Sequence, residues 1–163
     1  MNNIQIVKEL NKILFLEHTH LGLYKSQLHL TKVPDIKRAF IRFMEMEAEH
    51  IDRLRDIIIT LDGKPAIFSE LGDFPGKILG ITVDLSGTTN MLKSDYFIEK
   101  KSFEGYSNLI AKISDRKLAD LVSVNSLEAH LMELWLQERI EMLETTRSTE
   151  IKDHKPTSTK PLG

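Results

Sequence analysis

The chain has 163 residues and a mass of 18.7 kDa, enough for one domain with a full core and too little for two sizeable ones. With 41% apolar and 28% charged residues, eight glycines, five prolines and no cysteine, it is neither disordered nor turn-rich β, and any metal must rest on His, Asp or Glu. A net charge of −2, with 22 basic residues scattered among 24 acidic ones, offers no footprint for nucleic acid.

The first eleven residues are polar and lack the apolar core of a signal peptide, so a cytoplasmic protein is expected. From about Asn3 to Thr31 there is no proline, and Val7, Leu10, Leu14, Glu17, Leu21, Tyr24 and Leu28 recur as one helical stripe. Val33-Pro34-Asp35 stops that helix and starts a second, whose stripe is Ile36, Phe40, Phe43, Glu47, His50, Leu54, Ile57 and Leu61. Asp62-Gly63-Lys64-Pro65 closes it. A glycine-punctuated connection follows to about Asn90, with Gly72, Pro75, Gly76, Gly80 and Gly87. A third helix is expected from Met91, with the stripe Leu92, Tyr96, Glu99, Phe103, Tyr106, Ile110 and Ile113. After a turn at Ser114 to Lys117 a fourth runs from about Leu118 to Thr145. Short loops make each pair an antiparallel hairpin, and the long connection can cross the bundle's length. The expected fold is thus an all-α, antiparallel four-helix bundle over residues 1–146, with one long crossover between helices 2 and 3, followed by a polar, disordered tail over 147–163.

Carboxylates stand where this core should be apolar. A Glu in a core stripe must lose its hydration, and burial alone raises its pKa until it neutralises, so each of Glu17, Glu47 and Glu99 needs a partner. Counting outward from the turn at Val33-Pro34, Glu17 and His50 fall at one height; counting from Asp115-Arg116, Glu99 falls opposite residues 128 to 132. Several carboxylates converging in one dry layer repel unless a multivalent cation lies between them, which makes a metal site the economical reading. Glu47-x-x-His50 puts both side chains on one helix face, in phase with the stripe, whereas Glu45, Glu49 and Asp52 fall off it. Tyr24 follows Glu17, and Tyr106 follows Glu99, by seven residues. Each tyrosine could hydrogen-bond a liganding carboxylate or fill core volume.

One Glu from each of two helices plus Glu-x-x-His from the other two is the ligand plan of ferritin-like di-iron carboxylate bundles. The chain resembles that superfamily over roughly Asn11 to Leu143. Within it the sequence is similar to the demethoxyubiquinone hydroxylase family, in Glu17 to Leu28 (EHTHLGLYKSQL), Glu47-Ala48-Glu49-His50, the stretch from Phe74-Pro75-Gly76 to Gly87, and Glu99 to Tyr106. The fourth helix departs from the pattern: it reads Asn125-Ser126-Leu127-Glu128-Ala129-His130-Leu131, with one residue between Glu and His. Helical phase, with Leu118, Leu121, Val122, Ala129, Leu131, Met132, Trp135 and Leu136 taken as the core face, puts Glu128 and Asn125 inside it and His130 nearly opposite. His130 would turn inward only through a π-bulge.

The resemblance implies two iron ions on Glu17, Glu47, His50, Glu99 and Glu128, with a weaker second site because Leu131 stands where a His is expected. It implies Tyr24 and Tyr106 behind those ligands and dioxygen-dependent oxidation chemistry, a quinone or other lipid-like molecule being the substrate. The alternatives are a ferritin- or rubrerythrin-like iron-binding protein without organic substrate, and a degenerate bundle without metal. Self-association and a peripheral membrane contact through residues 66–90, where Ile67, Phe68, Leu71, Phe74, Ile78 and Leu79 make the chain apolar, complete the expected partners.

Overall fold

The computed structural model describes residues 1–66 and 87–153. Four helices make up almost all of it, α1 (Asn3–Gln27), α2 (Pro34–Thr60), α3 (Thr88–Ile110) and α4 (Arg116–Asp153), with no strand among the described residues. Each boundary has a local cause. Asn2 caps α1, accepting from the Gln5 backbone N–H while the Gln5 side chain accepts from the Asn2 N–H, so two otherwise orphaned donors are satisfied reciprocally. Pro34 opens α2 in the first turn, where its missing N–H costs nothing, and Asp35 favours the positive end of the helix dipole. The Asp115 carboxylate takes the Leu118 N–H at the start of α4.

Contacts across the bundle give its topology. Along α1 and α3 the partners run in opposite directions, from the Met1 terminus at the Lys112 carbonyl, through Tyr24 at Glu99, to Gln27 at Asp95. Along α2 and α4 they do the same, from Asp35 paired with Arg139, through Phe43 edge-on to Trp135, to Arg53 at Asn125. α2 ends beside the start of α1, where the Asn11 side chain holds the Lys64 carbonyl and the Ala66 N–H. α3 begins at the other end, beside Gln27. Ala66 and Gly87 therefore lie at opposite ends of the bundle, as a long connection between helices 2 and 3 leads one to expect. The residues of that connection, and the membrane contact expected of them, lie outside the described residues, apart from Ala66 and the start of α3.

Two apolar clusters fill the interior. One, at the end holding the α1 N-terminus, gathers Leu10, Leu14, Leu54, Ile58, Leu109 and Val122; the other gathers Tyr24, Phe40, Phe43, Met132 and Leu136. Three expectations need correction. α1 ends at Gln27 instead of Thr31. α4 continues to Asp153, eight residues past Thr145, because neither Gly nor Pro interrupts it there and the hydroxyls of Ser148 and Thr149 bond back to the carbonyls of Glu144 and Thr145; the first seven residues of the expected tail are thus helical. Leu121 and Leu131, taken as core, are 57% and 63% exposed. α4 carries apolar side chains on more than one face, and periodicity alone, which places Val122, Ala129, Met132 and Leu136 correctly, does not separate Leu121 and Leu131 from them.

The α2 terminus is tightly seated. A Cβ on Gly63 would stand 2.7 Å from both Val7 methyl groups and 3.0 Å from Ile58 Cγ2. Val7 is short and branched and cannot swing away. Gly63→Ala is therefore expected to destabilise the protein by about 1–3 kcal/mol in urea unfolding, and Val7→Ala in the same chain to recover part of that loss.

Candidate metal centre

Between the two apolar clusters lies a layer of five fully buried ionisable side chains: Glu17 and His20 from α1, Glu47 and His50 from α2, and Glu99 from α3. Three of them, Glu17, His20 and Glu47, offer ligand atoms that all lie within 4.8 Å of one another. His20 Nδ1 sits 3.4 Å from Glu47 Oε1 and 3.5 Å from Glu99 Oε1. His50 Nδ1 sits 3.7 Å from the other Glu47 oxygen, Oε2, and 3.0 Å from Glu17 Oε2. Glu47 thus faces one imidazole with each oxygen, and each imidazole faces one further carboxylate. His20 was missed in the sequence, although Glu17-x-x-His20 repeats the spacing of Glu47-x-x-His50 one helix earlier; Leu21 drew the stripe one residue out of phase.

The residues around this layer orient it. Tyr24 Oη donates to Glu99 Oε1 at 2.7 Å, so the tyrosine of α1 serves the carboxylate of α3 and not its own helix's Glu17. Tyr106, fully buried on α3, accepts from Asn125 Nδ2 at 3.1 Å and packs edge-on to His50. Burial, and then neighbouring carboxylates, push both phenols well above their ordinary pKa, and both stay protonated.

Glu128 stands apart. Its side chain is 29% exposed, and it accepts from Arg53 Nη1 at 2.7 Å while facing His50 Nε2 at 3.0 Å, on the side of the ring away from Glu17 and Glu47. Burial opposes its charge, but Arg53 and His50 outweigh that and hold it below the usual carboxylate range. His130 points outward, stacked on Phe103 at 4.3 Å and paired with Glu133 at 3.2 Å, without the π-bulge that would turn it in. What α4 turns towards the interior here is Asn125, Ala129 and Met132. Asn125 donates to the His50 carbonyl as well as to Tyr106, and accepts from Arg53.

The donor set suits a hard or borderline cation. Glu17 Oε1, both Glu47 oxygens, Glu99 Oε2 and both His20 nitrogens are buried without a hydrogen-bond partner among the described residues. No Lys or Arg pairs with any of the three carboxylates among those residues; imidazole rings are the only bases in contact with them. Without a metal, protons must take the cation's place. Burial first, then the charges of Glu17 and Glu99, push Glu47 well above the carboxylate range, so that it holds a proton between its neighbours. Burial carries Glu99 up to about 7, with His20 opposing and Glu17 adding to the rise. Glu17 goes the other way, to about 2: burial opposes its charge, but the protonated Glu47 beside it, the His50 hydrogen bond and the charge of the imidazoles prevail. One turn from Glu99, Asp95 is also buried, bonded to Gln27 Nε2 at 2.7 Å and raised by burial to about 8.

No family model matches the sequence, and neither does any curated protein. Among solved structures, a dodecameric thioferritin, the bacterioferritin-related protein from Bacteroides fragilis, matches with a TM-score of 0.75 at 16% identity, covering 91% of this chain and 92% of that one. At that identity the likeness is one of fold: the bundle with its crossover is ferritin-like.

Proposed function

We propose that the chain is a di-iron carboxylate protein in which Glu47 is shared between two half-sites, Glu17 with His50 and Glu99 with His20. The observation that carries this reading is that the two Glu47 oxygens face two different imidazoles, each beside its own second carboxylate, with no Lys or Arg paired to that layer's three glutamates among the described residues. In this reading the imidazole that the fourth helix lacks comes from the first. These residues would hold iron, which when bound would supply the electrons for reducing dioxygen. Carboxylate and imidazole donors fit that task because oxygen ligands favour the ferric state.

The chain's own residues then have distinct tasks. His50 presents Nδ1 to the half-site and Nε2 to Glu128, the arrangement in which a carboxylate fixes ring orientation and raises ligand basicity; Arg53 and Asn125 hold that carboxylate and helix in place. Tyr24 fixes Glu99. Glu47 releases its proton on loading, because a cation and a shared proton compete for the same oxygens. We also propose that the protein self-associates, as the thioferritin of like fold is described as a dodecamer.

A finer reading adds a quinone-ring hydroxylation. The observation on its side is a cleft of about 600 Å³ lined by Ile6, Ile57, Leu61, Leu118 and Leu121, with Arg53 in its wall. Arg53 also ends the chain His50–Glu128–Arg53, so cleft and centre are joined. A short-chain demethoxyquinone is expected to bind the iron-loaded protein with a Kd on the order of 10 μM by fluorescence of Trp135, and to be hydroxylated; no binding would leave iron oxidation without an organic substrate.

Elemental analysis of protein from iron-supplemented cells should find about two irons per chain, falling to about one in His20→Ala and staying near two in Glu128→Gln. The reverse order would assign the second half-site to α4. Glu47→Leu should abolish binding yet raise the stability of the metal-free protein by roughly 1–4 kcal/mol, since it removes a buried acid that no protein cation neutralises. A loss of several kcal/mol would instead mean that Glu47 is held by a protein group.

Acidity supplies a third check. Glu47, Glu99 and Asp95 keep protons in the folded state that the unfolded chain gives up near pH 4 to 4.5, so their contribution declines as pH rises towards about 8. Glu17, lowered to about 2, contributes above its unfolded value and loses that contribution in acid. In EDTA the melting temperature should therefore peak at about pH 4 and fall towards pH 8, and iron should flatten that fall. An EDTA profile that rises from pH 5 to 8 would show the carboxyls ionised in the metal-free layer.

A further inference from the structure

Of the twelve large apolar side chains that remain exposed among the described residues, six lie on α4. Five of these, Leu121, Val124, Leu127, Leu131 and Leu134, recur three or four residues apart; the last four lie on the side opposite Val122, Ala129, Met132 and Leu136, which face the core, and Leu121 lies at the edge of that side, where it also lines the cleft. They form one stripe rising about 20 Å along the helix. The outward face of a bundle helix is ordinarily polar, and a contiguous apolar stripe there marks a contact surface.

The order of residues in the stripe identifies what covers it. Counted outward from the peptide between Leu127 and Glu128, Val124 and Leu131 fall at equal distance, and so do Leu121 and Leu134. An antiparallel copy of the same helix, related by a twofold axis at that midpoint, brings Leu121 level with the second copy's Leu134 and Val124 level with its Leu131, with the two Leu127 side chains flanking the axis. Charge follows the same symmetry. Lys117 comes level with Glu138 of the second copy, and Arg116 falls within a turn of its Glu141. All four side chains are exposed, and none makes an ion pair with another described residue. A parallel copy would instead set Lys117 against Lys117 and Glu138 against Glu138, which is repulsive. An isologous interface needs this self-complementarity, and a foreign partner would not require it.

We infer that the outer face of α4 is a twofold interface between two copies of this chain, packed antiparallel about Leu127. The inference gives a surface to the self-association proposed above, rests on that proposal, and is independent of the metal reading.

The chain has no cysteine, so single-cysteine variants report directly on the interface. Leu127→Cys, beside the axis, is expected to give mostly disulfide-linked dimer on diamide treatment, whereas Ile41→Cys, also exposed but on α2, gives little. In sedimentation equilibrium the wild type should appear as a dimer or an even-numbered assembly. Leu131→Lys should weaken the pairing at least ~100-fold with helicity and iron content unchanged, and Lys117→Glu should weaken it less, with Lys117→Glu/Glu138→Lys restoring it. A wild-type monomer at about 100 μM would overturn both the self-association and this interface. An oligomer in which Leu127→Cys fails to cross-link, or in which the charge exchange fails to restore pairing, would overturn the interface alone. Iron content measured on each variant keeps either result separate from the metal reading.

Discussion

Three carboxylates and two imidazoles, all fully buried in one layer, set the terms for the whole bundle. At an effective dielectric constant of about 20, two like charges 4 Å apart repel by roughly 4 kcal/mol. Three ionised carboxylates at such spacings would thus cost about 10 kcal/mol, as much as the net stability of an ordinary domain. They cannot all be charged unless something positive lies among them. The two imidazoles compensate Glu17 and part of Glu99, and Glu47, between them, is left to a proton or a metal. Such a layer persists only because the apolar clusters above and below it, and the antiparallel pairing of α1 with α3 and α2 with α4, hold the side chains together whatever their charge.

The crossover is what makes that convergence geometric and not accidental. With α1 antiparallel to both α2 and α3, residues at mid-helix in each fall at the same height, and one substitution in each stripe suffices to build the layer. Tyr24 on α1 reaching Glu99 on α3 shows how close the two hairpins stand. Asn125 performs the same service on the other side of the layer, tying α4 to the His50 carbonyl and to Tyr106, so that α2, α3 and α4 are fixed at the level of the centre by a single amide. Replacing that amide with an apolar residue would leave a buried carbonyl and a buried phenol short of partners, which is costlier than losing its packing.

Much of this was legible in the sequence, and what was not has definite causes. The four helices, the two hairpins and the crossover followed from stripes ended by Pro34, Gly63 and the turn at Asp115, signals with strong local physics. α2 was read most accurately because its stripe is narrow and its opposite face is charged, which leaves one way to bury it. On α1, Leu21 and Leu28 are apolar and adjacent to the true core positions His20 and Gln27, so a hydrophobicity count preferred the wrong neighbour and overlooked a second Glu-x-x-His. On α4 two apolar faces compete, and only tertiary packing selects Val122, Ala129 and Met132 over Leu121 and Leu131. Both misreadings have one origin: periodicity finds the apolar side of a helix, whereas a functional layer is the place where the buried side is polar.

α4 follows a different logic from its three partners. In the proposed centre α1 provides both a carboxylate and an imidazole, and α4 is released from coordination; its inward positions at this level can be Ala129 and Met132, a small side chain and a flexible one that close over the layer without adding charge. A fourth buried carboxylate in their place would raise the repulsion that Glu47 already relieves by holding a proton. Glu128, displaced to the rim where Arg53 and solvent can stabilise it, keeps its influence through the far nitrogen of His50 at a fraction of the desolvation cost. Moving an acid from the interior to the rim thus exchanges direct coordination for control of one imidazole, and the change is tolerable only because His20 stands on the opposite side of Glu47.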